Sequence, residues 1–186
     1  MKDQEKAAEF APEYQDKVKK EEYGEKEEIE GVMNVEIEKN FVAEDGRFVE
    51  ICRLNEEGEL IDLPGLKLRQ LNYVEVLPGA KKAWHIHKRQ DEALFIHPDS
   101  RMIIGLMDIR EDSATKGNRI RLTLGGGKTH LLFIPKGVAH GMANPYQELA
   151  TLTYLVDQYF DGSDADEYRL PFDFEVGEDF WKIRAG

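Results

Sequence analysis

The sequence predicts an all-β fold, a sandwich or barrel of short strands preceded by a charged arm. Three observations lead there. Short runs rich in β-branched and aromatic residues recur at 32–37, 48–52, 68–77, 93–97, 102–109, 119–124, 130–134 and 149–156. Turn signals separate them: Asp45-Gly46, Asn55 to Gly58, Pro78-Gly79, Pro98-Asp99, Lys116-Gly117-Asn118, Gly125-Gly126-Gly127 and Pro145. No α-helical pattern interrupts residues 31–160, and regular short strands with Gly/Pro turns are the mark of a sandwich or barrel.

The elements follow in chain order. Residues 1–30 hold eleven acids and six bases, with Phe10, Tyr14, Val18 and Tyr23 at roughly helical spacing. They read as a helical or partly disordered arm whose charges form a solvated face. Residues 31–186 form one β domain, in which 161–186 read as an acidic, aromatic loop and a short closing segment.

At 186 residues and 41% apolar, the chain is long enough for a substantial core and too apolar for disorder. A net charge of −12 argues against a nucleic-acid partner, because phosphate backbones require clustered Lys and Arg. It also requires a local positive patch for any anionic ligand. Cys52 stands alone, so no intrachain disulfide forms. The polar N-terminus shows no signal peptide, and no run reaches the ~18 apolar residues of a membrane helix. A cytoplasmic protein without membrane contacts is the expectation.

Two histidine motifs carry chemistry. The first runs from Gly79 through Trp84-His85-Ile86-His87 to Glu92, as G-x5-H-x-H-x4-E. The second, Pro135-Lys-Gly137-Val-Ala-His140-Gly-Met-Ala-Asn144, reads P-x-G-x2-H-x3-N. Together they resemble the two signatures of the cupins, jelly-roll β-barrels. Strand residues two apart share a face, so His85 and His87 project together into a barrel interior. With Glu92 and His140 they make a borderline N/O donor set for a divalent transition metal: Fe, Mn, Ni, Co, Cu or Zn. His97 and His130 match neither motif and read as surface or satisfied core histidines.

A narrower resemblance spans residues 31–173. Asp108-Ile109-Arg110-Glu-Asp-Ser113-Ala-Thr115-Lys-Gly117 resembles the D-[IL]-R-x-x-S-P-T-[FY]-G of the dTDP-4-dehydrorhamnose 3,5-epimerases. Residues 134–142 resemble their I-P-x-G-F-A-H-G-F, Gln70-Leu-Asn72 their Q-x-N strand, and 45–50 their D-x-R-G-x-F-x-E. The resemblance implies a base at His87, an acid at Tyr154 and an orienting carboxylate at Asp173. It also implies substrate-binding positions at Arg47, Gln70 and Asn72, and a homodimer. Two family cations are missing: Trp84 stands at the arginine, and Ala93, beside Glu92, at the lysine. A metal at His85, His87, Glu92 and His140 would replace that charge as a Lewis acid. Metal-bound His87 is no longer free to act as base. Three readings result: an epimerase or isomerase of a keto-sugar, dTDP-linked on the resemblance; a metal-dependent cupin of other chemistry, an oxygenase or lyase on a small organic substrate; or a non-catalytic sugar- or metal-binding cupin.

Overall fold

The computed structural model describes residues 8–18, 27–37 and 40–184. Within the arm, the described residues form one helical turn, α1 (Pro12–Gln15), and Phe10, Tyr14 and Val18 are all exposed. Tyr23 lies outside the described residues. The expected helical stripe therefore buries none of its described members. From Glu27 the chain already belongs to the barrel: Ile29 is buried, and Asn118 Nδ2 donates to the Glu28 carbonyl at 2.9 Å.

Two antiparallel five-stranded sheets face each other. The first contains β1 (Met33–Glu36), β4 (Gln70–Val76), β6 (Glu92–Ile96), β9 (His130–Ile134) and β11 (Ala150–Val156), in the order β1-β9-β6-β11-β4. The second contains β5 (Lys81–Ile86), β7 (Arg101–Asp108), β8 (Arg119–Gly125), β10 (Val138–Ala143) and β12 (Tyr168–Arg169), in the order β12-β5-β10-β7-β8. A separate hairpin pairs β2 (Asn40–Ala43) with β3 (Gly46–Val49). This is the predicted all-β jelly roll, and helix among the described residues amounts to α1 and a 3-10 turn at Glu178–Trp181.

Apolar residues fill three layers. Leu94, Ile96, Ile104, Leu106, Leu132 and Leu152 meet between the sheets. Leu60, Leu63 and Leu66 cover the outer face of the first sheet at Phe95, Leu131 and Leu155. The C-terminal segment covers the outer face of the second, with Trp181 and Phe180 on Trp84. Both faces of β6 and β10 are thus covered, which is why every residue of each is buried. Strands at the edge alternate instead, as β4 does.

Candidate active site

One end of the barrel opens into a cavity of about 480 Å3 lined by His85, His87, Glu92, His140 and Tyr154, among others. His85 and His87 come from β5 and the residue after it, while Trp84 and Ile86, on the other face of that strand, join the outer tryptophan layer. Glu92 opens β6, His140 sits mid-β10, and Tyr154 projects from β11 in the opposing sheet. Two glycines permit this packing. A Cβ on Gly105 would fall 2.6 Å from the Trp181 ring and 3.0 Å from that of Trp84. One on Gly141 would fall 2.3 Å from Ala83 Cβ, so β10 carries His140 up against β5 because its neighbour lacks a side chain.

Three of the four predicted ligands converge. His87, Glu92 and His140 each present one donor atom, all within 4.8 Å of one another. Their tautomers are set from behind. His87 Nδ1 donates to the main-chain carbonyl of Asp166, and His140 Nδ1 donates to that of Val138 at 3.2 Å. A carbonyl only accepts, so both Nδ1 atoms carry the proton at those bonds and both Nε2 atoms turn toward Glu92. The Nε2 atoms lie 2.9 Å (His140) and 3.9 Å (His87) from its oxygens. Glu92 Oε1 is buried against His140 Nε2. Burial opposes charge on Glu92, yet the facing imidazoles hold its carboxyl below the usual range. Burial likewise opposes charge on His140, and Glu92 raises it on balance.

His85 stands apart from this group. Its ring stacks on His140 at 5.8 Å, but Nε2 accepts from Arg169 Nη1 at 2.6 Å and Nδ1 lies 3.4 Å from Glu167. Burial, with His140 and Arg169 nearby, pushes it down to about 4, so it is neutral at pH 7. Tyr154 is raised by burial first, then by Glu92 and Glu167, and keeps its hydroxyl proton.

The remaining predicted residues fall outside the cavity. Asp173 is exposed, and its segment crosses the outer face of the second sheet, where Leu170 and Val176 pack near Trp84. The histidines occupy the opposite face, so Asp173 does not orient His87. Asp166 does: its carbonyl takes the Nδ1 proton, and its carboxylate accepts the backbone N–H groups of Lys88, Arg89 and Gln90 at 2.7–3.0 Å. Arg47, on β3, bonds Asp99 at 3.1 Å and does not line the cavity. Gln70 and Asn72 share a face of β4 with the lining residue Val74, and Gln70 binds the Phe160 N–H and the Asn72 amide. Asn72 Nδ2 is buried and unpartnered beside that wall.

The cavity also holds cations that the motif reading missed. Lys82, Arg89 and Arg169 all line it. Arg169 arrives because β12 pairs with β5, setting Arg169 opposite His85 across 84 residues of chain. A two-residue strand in an acidic loop offers no periodicity by which to find it.

Comparison with known proteins agrees with this geometry. Residues 26–178 match the dTDP-4-dehydrorhamnose 3,5-epimerase family. The chain is 36% identical over 107 residues to the Bacillus subtilis spore coat polysaccharide biosynthesis protein SpsL, covering 58% of this chain and 70% of that protein. It is 30% identical over 136 residues to the probable low-salt glycan biosynthesis epimerase Agl13 of Haloferax volcanii, covering 73% and 84%. Its fold matches that of a dTDP sugar isomerase from Desulfovibrio desulfuricans with a TM-score of 0.66 and 26% identity, over 84% of this chain and 91% of that one. The motifs, the jelly roll and these matches agree, and the chain belongs to the dTDP-4-dehydrorhamnose 3,5-epimerase family.

Proposed function

We propose that the chain epimerises a nucleotide-linked keto-sugar. His87 Nε2 removes the proton beside the keto group, and the Tyr154 hydroxyl delivers one to the opposite face. The observation that carries this reading is the placement of the two groups on opposing sheets of one cavity. With Nδ1–H committed to Asp166, His87 Nε2 keeps the lone pair a base needs. Tyr154, held protonated, begins the cycle as an acid. The cavity, about 480 Å3, is of a size for a sugar. The test follows deuterium wash-in to a dTDP-4-keto-6-deoxyhexose in D2O. Tyr154→Phe should slow turnover by roughly 10²–10⁴-fold. Undiminished turnover in that variant would remove Tyr154 from the acid role.

One observation favours a second reading, a divalent transition metal at His87, Glu92 and His140. Two imidazoles anchored through Nδ1 on backbone carbonyls, with both Nε2 atoms facing a buried carboxylate, match the way metal-binding histidines are oriented. When bound, such an ion supplies Lewis acidity to a keto oxygen, the charge otherwise expected of a lysine near Ala93. His87 would then be a ligand, with its Nε2 no longer free to take a proton, and Tyr154 would remain as the proton donor on the opposite sheet. Elemental analysis of protein purified without a His tag decides: about one metal per chain, with activity lost to chelators, supports it. Metal-free protein with full activity rejects it.

A cytoplasmic homodimer completes the reading. Among the described residues β4 is a sheet edge; its exposed Leu71 and Tyr73, with Leu77 just after it, and the hairpin residues Phe41, Val42 and Phe48 are apolar surface that a second copy would cover.

A further inference from the structure

We propose that Lys82 anchors the anionic phosphoryl group of the substrate and thereby fixes the direction in which the substrate lies in the cavity. The inference rests on the nucleotide-sugar reading above.

The argument starts from the cavity's three cations. Arg89 is held by Asp164 at 2.9 Å and lies 4.0 Å from Asp166. Arg169 is held by Glu167 and by His85. Among the described residues, Lys82 makes no ion pair, and no carboxylate competes for its ammonium. It is the one lining cation left for a ligand.

Position matters as much as charge. The lining carboxylates Asp161, Asp164, Asp166 and Glu167 all come from the segment between β11 and β12. Asp166 fastens that segment to Lys88, Arg89 and Gln90, just past His87. Lys82 lies five residues before His87, across the register shift in β5 that separates it from His85. The acidic segment is thus tied to His85 through Glu167 and to His87 through Asp166, while Lys82 is held by its pairing with Met142 of β10. The arginines beside that segment are already engaged by its carboxylates and offer a diphosphate little free charge, whereas Lys82 presents an unpaired, hydrated ammonium.

The main chain holding Lys82 is fixed. Lys82 pairs with Met142 of β10, and the close approach there depends on Gly141, whose Cβ would fall 3.1 Å from the Lys82 carbonyl. Trp84, at the position of the family arginine, is buried on the outer face and offers no charge to the cavity. Lys82 restores a cation to the inner side of the same strand, two residues earlier.

Calorimetric titration with dTDP at low and high salt tests this on the full chain. Lys82→Ala should weaken binding about tenfold and flatten its salt dependence, because one charge-assisted contact is lost. Lys82→Arg should keep affinity to within about threefold, since any cation at that point serves. Lys81→Ala should change nothing: its ammonium faces Glu178 at 3.8 Å and the Phe172 ring, away from the cavity. Wild-type protein that fails to bind dTDP, or Lys82→Ala that binds as well as wild type, overturns the proposal. Protein that binds dTDP through Lys82 yet exchanges no substrate proton keeps this inference and loses the epimerase reading.

Discussion

Asp108 and Glu92 are both carboxylates buried in the barrel, at 1% and 4% exposure, and they are satisfied in opposite ways. Asp108 accepts from Arg110 Nε, Nη2 and backbone N–H at 2.8–3.1 Å, from Ser113 Oγ at 2.5 Å and from Thr115 Oγ1 at 2.6 Å. Arg110 also donates to the Glu30 carbonyl at 2.7 Å, and Thr115 Oγ1 accepts the Glu30 N–H, so the knot ties down the chain entering β1. Glu92 faces only imidazoles, and one of its oxygens is left without a hydrogen bond. A buried acceptor surrounded by donors holds structure. A buried carboxylate set against imidazoles at the wall of a cavity has its charge balanced only while they carry protons, so its environment can change with what they bind.

Neutral isosteres at the two positions should break this comparison if it is wrong. In Asp108→Asn the guanidinium of Arg110 cannot shed its charge and is left part-buried without its anion. We expect a loss of about 3 kcal/mol in urea unfolding, the low end for a broken buried pair. Glu92→Gln leaves His140, a buried imidazole that can shed its proton once the carboxylate is gone, so the stability loss should stay near ~1 kcal/mol. Turnover should show the reverse order: a fall of about 100-fold in Glu92→Gln, some 2.7 kcal/mol of barrier, and little change in whatever Asp108→Asn remains folded. Equal stability losses in the two variants would dissolve the distinction.

Much of the fold was legible in local pattern. Eight apolar runs mark eight strands, because edge and covered strands alike need β-branched and aromatic residues between turns. β10 and β12 were less so: four of the six residues of β10 are small or histidine, and β12 is two residues long. The metal-like trio was legible because H-x-H and P-x-G-x2-H place imidazoles at strand periodicity. The support behind it was not. Asp166 sits 79 residues from His87 in an acidic loop, and nothing in its neighbours distinguishes it from Asp164 or Asp173. The expected charge deficit was also misplaced. It followed Trp84, whose side chain faces outward, whereas strand alternation, disturbed by a register shift between His140 and Met142, leaves Lys82 on the cavity. The D-I-R-x-x-S-x-T element marked the family, and the structure gives its physical reason: each named polar residue binds one carboxylate.

The smallest effect is the pH dependence of the Asp108 knot. Burial alone would raise this carboxyl, but the bonds from Arg110, Ser113 and Thr115 hold it well below the usual carboxylate range. A folded-state pKa below the unfolded value of about 3.9 means the contribution is complete above that pH. It is lost as pH falls from there toward the folded value, because the unfolded chain takes up the proton first. One proton of difference gives at most ~1.4 kcal/mol per pH unit. Urea unfolding between pH 5 and 2.5 should therefore show a steeper acid limb in wild type than in Asp108→Asn, which has no carboxyl there to protonate. Arg110 stays charged across that window, so the difference belongs to Asp108. Parallel acid limbs would mean that the carboxylate is not held by its donors, and the contrast with Glu92 would fail at its structural end.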